Sequence, residues 1–564
     1  MDAENKQSFE KRSNKVIAIL IALVTVVIAV ITYMQNDSAM RDDRANRDQK
    51  RYSLEAMSAR ITGDAQVNFD YYRVYTLYKE LDLLARSATE KGEKYTADRY
   101  IKLRDRMKAN SKLLAPPYMN EKDGTLELDK YEVDTFIQNA TALNERFTAA
   151  SDVKDIWDNK SNTYIIHLTL LAVSLFLFGM ATTIASRFAR ILFSIVGSVV
   201  ALIAVGWAVS TYLKPVIDFR DYKTKNGVAV IDRFADGVGL AYQGKNEEAV
   251  AAFDEAISFA PNYTNAFYEK GNSLMGLGRF KDASVAYESA IKLGKDDALT
   301  LGNLGWAYYK SGQFEDSIKN YQSALNKGKI ELWMQFDLAM NYLSTGNIEK
   351  AKKMYDDTIQ MAANEVEKAA KEGREPPSDM WWSLDDAAGG LELLDGIITE
   401  GKGDPDPKLL KNPQEIQKVG QEIFKKLRSA SVSLEYDQKL PQGELQAKIS
   451  PLRFYEPKYD NQGEQLDVED FNDVFPKGII EVAVQFDYEK MKNDQEMVIK
   501  VYVNGSEENS WRQVIKWDMG ESGTAEKTLS FSYSTTSALT PGEYTVEVYV
   551  DGHLAQSGAF IVEE

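Results

Sequence analysis

The chain has no cysteine among its 564 residues. That removes disulfides, thiolate metal sites and cysteine nucleophiles together. Histidine is nearly absent as well: only His167 and His553 occur, so imidazole chemistry is confined to two places. No serine–histidine–aspartate set can be assembled without one of them. His167 lies in a long apolar run, and His553 sits beside a turn signal where an exposed structural role is expected. Basic residues are in deficit. The net charge of −18 argues against a nucleic-acid partner, because phosphate binding needs a concentrated basic surface. Carboxylates are plentiful, but nothing singles out a pair for acid–base work. We expect no catalytic residues, no metal ligands and no cofactor. Hydrophobic residues make up 44% of the chain, enough for real cores, and the length calls for several domains.

Long apolar runs are present. Residues 16–34 are almost unbroken, long enough to cross about 30 Å of hydrocarbon, and Lys6, Lys11, Arg12 and Lys15 precede them. The run is too long for a signal-peptide core, so an uncleaved anchor is expected. Two more runs, 164–184 and 191–213, flank a short link over 186–190 that carries Arg187 and Arg190 without an acid. A hairpin with its turn on the cytoplasmic side follows. Residues 35–163 and everything after 213 then lie outside a multi-pass cytoplasmic membrane. Arg41, Arg44, Arg47, Lys214 and Arg220 run against that orientation. We expect spans over 16–34, 164–186 and 191–213. His167 reads as a neutral group near the interface, bonded to a neighbouring helix or a headgroup, since neither hairpin span holds an acid for a proton path. Gly197 and Ala201, four apart, suit close helix approach. Between the first two spans, Phe69, Tyr72, Tyr75, Tyr78 and Leu81 have amphipathic spacing. With breaks at 115–117 and 122–124, a small helical bundle over 35–163 is expected.

Gly244, Gly278, Gly312 and Gly346 recur every 34 residues in polar breaks between helical stretches, where a turn favours positive φ. Other columns keep step: Gly237, Gly271, Gly305 and Ala339; Ala249, Ala283, Ser317 and Ala351; Phe253, Tyr287, Tyr321 and Tyr355; Ala256, Ala290, Ala324 and Thr358. Small residues with a ring beside them suit stacked helix pairs, hence a solenoid. The pattern resembles tetratricopeptide repeats, with Leu304, Gly305 and Tyr308 matching that family's L-G-x-x-Y. Pro261 ends the first unit as the family's proline does; Lys295, Lys329 and Ala363 replace it later. The units fall at 230–263, 264–297, 298–331 and 332–365. Residues 366–400 read as capping helices for the last repeat, and 401–444 as a linker and a helix.

The resemblance implies a concave face lined by the first helix of each pair. By register its residues are Phe234, Tyr242, Tyr268, Asn272, Met275, Asn303, Trp306, Tyr309, Trp333, Phe336 and Met340. Aromatic and methionine-rich grooves suit an apolar peptide or helix; packing of some of these rings against the cap, bundle or sandwich is the plainer reading. Some members of the family clamp a partner's terminal carboxylate with two asparagines and several cations. Asn272 and Asn303 match the asparagines, but Tyr268, Trp333 and Asp337 stand where the cations would be. Asp337 would repel a carboxylate, so an acidic tail is not the expected partner.

From about 445 the period becomes alternating. Stretches 479–486, 497–503, 528–533, 543–550 and 555–562 are β-rich, with turn signals at Asn504-Gly505 and Asp551-Gly552. The region 445–564 is similar to immunoglobulin-like sandwiches of bacterial surface proteins. Two motifs are decoys. Residues 239–246 approach a phosphate-binding loop, but Asn246 replaces its hydroxyl residue and no strand precedes it. The acidic run 464–473 lacks the ligand order of a calcium loop.

The fold class expected is therefore multidomain: three transmembrane helices with a helical bundle, an all-α repeat solenoid, then an all-β sandwich. The expected role is a prokaryotic, non-enzymatic envelope scaffold with a protein or peptide partner in the groove and a lipid bilayer around its spans. Two alternatives remain: a sensor or transport-accessory subunit working through bundle and hairpin, and an enzyme with its site in the sandwich. Oligomeric state is not set by the sequence.

Overall fold

The computed structural model describes residues 3–563 apart from 121, 123, 224, 226, 329–330, 437–438, 460–469 and 531–537. Lys329, Asp123, most of the acidic run 464–473 and the end of the stretch 528–533 lie outside the described residues. The chain forms two compact units, 1–294 and 295–564.

The first unit is all helical. α1 (Ala3–Phe69) continues through a π turn at Asp70–Tyr75 into α2 (Thr76–Glu90), which pairs with α3 (Lys94–Asn110). α4 (Leu128–Glu132) leads through a second π turn, Val133–Ile137, into α5 (Gln138–Thr183); α6 (Arg187–Leu213) follows. The buried residues explain why these helices associate. Over residues 17–45 of α1 they are Ile17, Val24, Ile31, Ser38 and Ala45, each seven apart. On α5 Tyr164, Leu171 and Phe178 keep the same step beside Lys160, His167, Ser174 and Ala181; on α6 Arg190, Gly197, Ala204 and Thr211 do so. A repeat of 3.5 on a 3.6-residue helix is the coiled-coil condition.

Gln35 donates to Ser161 Oγ at 3.2 Å and Gln49 to Ser151 Oγ at 2.9 Å, so α1 and α5 run antiparallel. The small helical bundle expected over 35–163 takes the form of this long two-helix stalk with α2 and α3 at its end. Three helical stretches, Glu10–Glu90, Leu128–Thr183 and Arg187–Leu213, contain segments long and apolar enough to cross a membrane. The turn between the last two is only 184–186, because Ser186 already caps α6 and Arg187 to Arg190 form its first turn. Gly197 lets α5 approach: a Cβ there would come within 3.0 Å of the Phe178 ring, and Ser174 donates to its carbonyl at 2.7 Å. His167 departs from expectation. It is fully buried, edge-on to Trp207 at 4.9 Å, and neither ring nitrogen has a hydrogen-bond partner.

Two helix pairs complete this unit: α7 (Val230–Tyr242) with α8 (Asn246–Phe259), and α9 (Thr264–Gly276) with α10 (Phe280–Lys292). The second unit opens with two more, α11 (Ala298–Lys310) with α12 (Phe314–Leu325) and α13 (Leu332–Ser344) with α14 (Ile348–Glu372). Their first helices begin 34 residues apart, and Gly244, Gly278, Gly312 and Gly346 turn each pair at φ of +71°, +70°, +77° and +73°. The second column has a packing cause. A Cβ on Gly237, Gly271 or Gly305 would lie 2.6, 2.6 or 2.8 Å from the ring of Phe253, Tyr287 or Tyr321, so the glycine is the space the ring fills.

α14 runs past 365 to Glu372, and α15 (Ser378–Glu400) and α16 (Pro413–Tyr436) form a further helix pair rather than a cap, a linker and a separate helix. Met340 on α13 lies against Gly390 on α15. The connection 401–412 is pinned to the preceding turns: Leu409 packs on Gly312, and Lys411 N–H donates to the Ser344 carbonyl at 3.1 Å. Its glycines and prolines read as a linker because the sequence does not show which surface holds them.

The β-region begins with β1 (Lys448–Ile449), β2 (Arg453–Tyr455) and β3 (Val474–Phe475), followed by β4 (Glu481–Glu489), β5 (Glu496–Val503) and β6 (Ser506–Glu507). β7 (Gln513–Lys516), β8 (Ser522–Ser530), β9 (Gly542–Val550) and β10 (His553–Val562) complete it. One sheet has β1, β2 and β8 on β4; the other has the order β3-β10-β9-β5, with β6 and β7 on β5 and β3 parallel to β10. Their inner faces share one core, including Val482, Val484, Val501, Trp517, Val546 and Phe560. β8 starts six residues before the expected strand. Its inward positions include Lys527, which burial moves down to about 8 and whose ammonium donates to the Trp511 carbonyl, so the segment does not alternate cleanly in hydrophobicity.

α16 closes on the second sheet. Val432 packs with Val498, Tyr549 and Leu554, and Arg428 holds the buried Glu547 carboxylate at 2.7 and 3.0 Å. Lys500 bonds Glu435 and Glu507 at 3.0 and 3.1 Å. One helix thus belongs to both the last helix pair and the sheet.

Candidate partner-binding faces

In the first unit, the inner helix α7 is already occupied. Phe234 is buried between Phe253 and Tyr263, with ring centroids at 5.6 and 5.2 Å; it is core, not groove. α5 lies beside it. Glu145 accepts from Tyr263 at 2.8 Å and from Asn265 at 2.9 Å, Arg146 pairs with Asp232, and Gln138 bonds Asp236. Ala142 and Ala149 join the apolar core of the first pair. Tyr242 is half-exposed, and its hydroxyl donates to Glu132. That carboxylate, then burial, pushes the phenol up to about 12. A cleft of about 1040 Å³ remains between stalk and repeats, lined by Met57, Ile61, Phe136, Phe234, Val238 and Tyr242 among others.

Further along, Tyr268 is half-buried with its ring 5.8 Å from Tyr287, and Met275 is half-buried. Asn272 accepts from the Tyr287 hydroxyl at 2.7 Å and donates to Glu269 at 2.9 Å. Its amide is committed to holding the neighbouring helix.

In the second unit, Trp306 is half-buried, stacked on Tyr309 at 5.1 Å and 13°, with the Lys310 ammonium 5.7 Å from its ring. Trp333 is half-buried over Gly302, where a Cβ would come within 2.7 Å of its ring. Asn303 is also half-buried. Tyr309, Phe336 and Met340 are core residues. Tyr309 lies 3.3 Å from Ser344 Oγ, Phe336 stacks on Tyr355 at 5.8 Å, and Met340 meets Gly390. The family register points one helix face inward, but the rings at its edges turn into the helix crossing, where more apolar area is removed from water.

Asp337 is the functional-grade residue whose setting the sequence does not show. Tyr321 donates to it at 2.7 Å, yet burial outweighs that bond and, with the Asp386 charge on α15 adding, moves its carboxyl up to about 7. Asp386 is raised too, by burial. A carboxylate whose folded pKa exceeds its unfolded value holds its proton more tightly when folded. Its contribution therefore falls as pH rises from about 4 to about 7. Asp337→Asn, which keeps an acceptor for Tyr321, should raise the melting temperature at pH 8, by roughly 1–3 kcal/mol of stability. Near pH 4 it should change little. Equal shifts at both pH values, measured by calorimetry, would reject this charge assignment.

Residues 268–329, from within α9 to just past the end of α12, match the model of a tetratricopeptide repeat family. No curated protein matches the chain. Among solved structures, a MamA RS-1 ArsTM double mutant is 25% identical over 24% of this chain and 76% of its own, with a TM-score of 0.23. YrrB, described as a TPR protein with an unusual peptide-binding site, is 18% identical over 28% of this chain and 85% of its own, with a TM-score of 0.22. The Cut9–Hcn1 hetero-tetramer of the APC/C is 15% identical over 73% and 96%, with a TM-score of 0.26.

Proposed function

We propose that this protein is a membrane-anchored, non-enzymatic scaffold of the prokaryotic cell envelope that captures a protein or peptide segment on its repeats. Tetratricopeptide repeats mediate protein–protein interaction, and the observation that carries the reading is the half-open row on the inner helices. In the second unit Asn303, Trp306 and Trp333 are only half-buried, and in the first unit, separately, Tyr268 and Met275 are. Partly exposed tryptophans are the residues that most often dominate interfaces.

The anchor is proposed from the three apolar helices. Arg220 pairs with Asp48 at 3.0 Å, and Glu145 holds Tyr263, contacts that require the stalk and the first repeats to share one side of a bilayer. Three crossings deliver that arrangement, with the basic N-terminus inside. The β-region reads as immunoglobulin-like. β1 and β2 join one sheet and β3, parallel to the last strand, joins the other, and the two sheets pack face to face over one core as in that fold.

The sensor reading is favoured by one observation: α5 passes from an apolar span into the core of the first repeat without a break. Photo-crosslinkers at positions 306 and 333 of the intact protein, in cells, test the scaffold. They should trap a common partner that Trp306→Ala and Trp333→Ala each weaken at least about tenfold, with protease reaching the repeats in spheroplasts but not before. Folded variants that still bind fully, or repeats digested only after membrane lysis, would reject the face or the orientation respectively.

A further inference from the structure

Each stalk helix breaks its α-helical register once, and the two breaks are side by side. The π turns Asp70–Tyr75 and Val133–Ile137 are tied by Tyr131, whose hydroxyl donates to Asp70 at 2.5 Å. Single π turns are uncommon and concentrate at functional sites; two in contact are a stronger indication than one. A cleft of about 750 Å³ opens between them, within the size range of small-molecule sites. Phe69, Val74 and Met107 give it apolar walls.

Its polar groups are incompletely matched. Asp70 is only 7% exposed. Gln66 and Tyr131, both neutral, donate to the same oxygen, Oδ2, at 2.7 and 2.5 Å. Among the described residues no lysine or arginine pairs with it, although a buried carboxylate normally requires a cation. Asp134, on the other π turn, lines the same cleft and accepts from Tyr118 at 3.0 Å. Ser111 Oγ is buried there without a hydrogen-bond partner. Among the described residues Lys112 supplies the one ammonium lining the cleft. Two carboxylates and one ammonium around an apolar wall complement a small zwitterion.

We propose that this cleft binds a free α-amino acid, with Asp70 and Asp134 holding its ammonium and Lys112 its carboxylate. The site is independent of the repeat face and would give the stalk an input of its own. The test is isothermal titration and thermal shift of the full-length protein in detergent, using each of the twenty standard L-amino acids and, as an amine without a carboxylate, putrescine. At least one amino acid should bind saturably and putrescine should bind less well. Asp134→Asn, at an exposed position that does not threaten the fold, should weaken that amino acid at least about tenfold. Lys112→Gln should weaken the amino acid while leaving putrescine unchanged. Absence of binding by all the probes overturns the proposal, as does tighter binding of putrescine or affinity unchanged in both variants.

Discussion

Gly305→Val is expected to abolish the cooperative unfolding of the repeats in the second unit, and Gly271→Val to do the same in the first. In each case the new side chain would enter space held by a fully buried tyrosine ring, 2.8 Å from Tyr321 or 2.6 Å from Tyr287. These are ring atoms in a packed crossing, not the flexible end of a side chain, so the helices must separate. Overpacking costs about 1–3 kcal/mol, and the closeness of the rings places these two at the upper end. Gly389→Ala is the control. Nothing lies within 4 Å of a Cβ there, and removing a helical glycine should add up to about 1 kcal/mol. Thermal melts followed by circular dichroism decide it; a Gly305→Val protein that melts like the parent would show that the small column is not a packing requirement.

Arg428→Met should be the most damaging change at the surface where α16 meets the sheet. Glu547 is 3% exposed and receives two of the guanidinium's bonds, the third going to Asp385 at 3.1 Å, together with the Tyr549 hydroxyl at 2.5 Å. Removing the cation strands a buried carboxylate, which typically costs about 3–5 kcal/mol. The double variant Arg428→Met/Glu547→Leu should recover much of that loss, because an apolar pair avoids desolvating either charge. Limited proteolysis near 437–447 reads the outcome. Arg428→Met should be cut faster than the parent and the double variant more slowly than Arg428→Met; equal rates in all three would mean that the ion pair does not hold the helix to the sheet.

The repeats were legible because their requirements are local and recur. A positive-φ turn every 34 residues demands glycine, and a ring crossing a helix demands a small partner; both leave marks in single columns. The apolar runs were legible by length. The coiled-coil register of α1, α5 and α6 was present at sevens, but Ser38, Lys160, His167 and Arg190 occupy seam positions and hide it from a search for hydrophobic residues. Four of the eleven candidate groove residues turn out to be core for a related reason. Phe234, Tyr309, Phe336 and Met340 sit on the right helices, and whether such a side chain leans into the groove or into the crossing depends on its neighbours.

The sequence by itself therefore determined the repeat architecture, its turns, the three apolar segments and the change to alternating strands, all of which depend on contacts short in sequence or on composition. Only the tertiary structure decided that α15 and α16 form another pair, that α5 fills the first inner face, and that α16 is shared with the sheet. It also brought Asp70 beside Tyr131, and Asp386 within electrostatic reach of Asp337. Those outcomes rest on groups far apart in the chain, whose burial and pairing energies exist only once the helices have met.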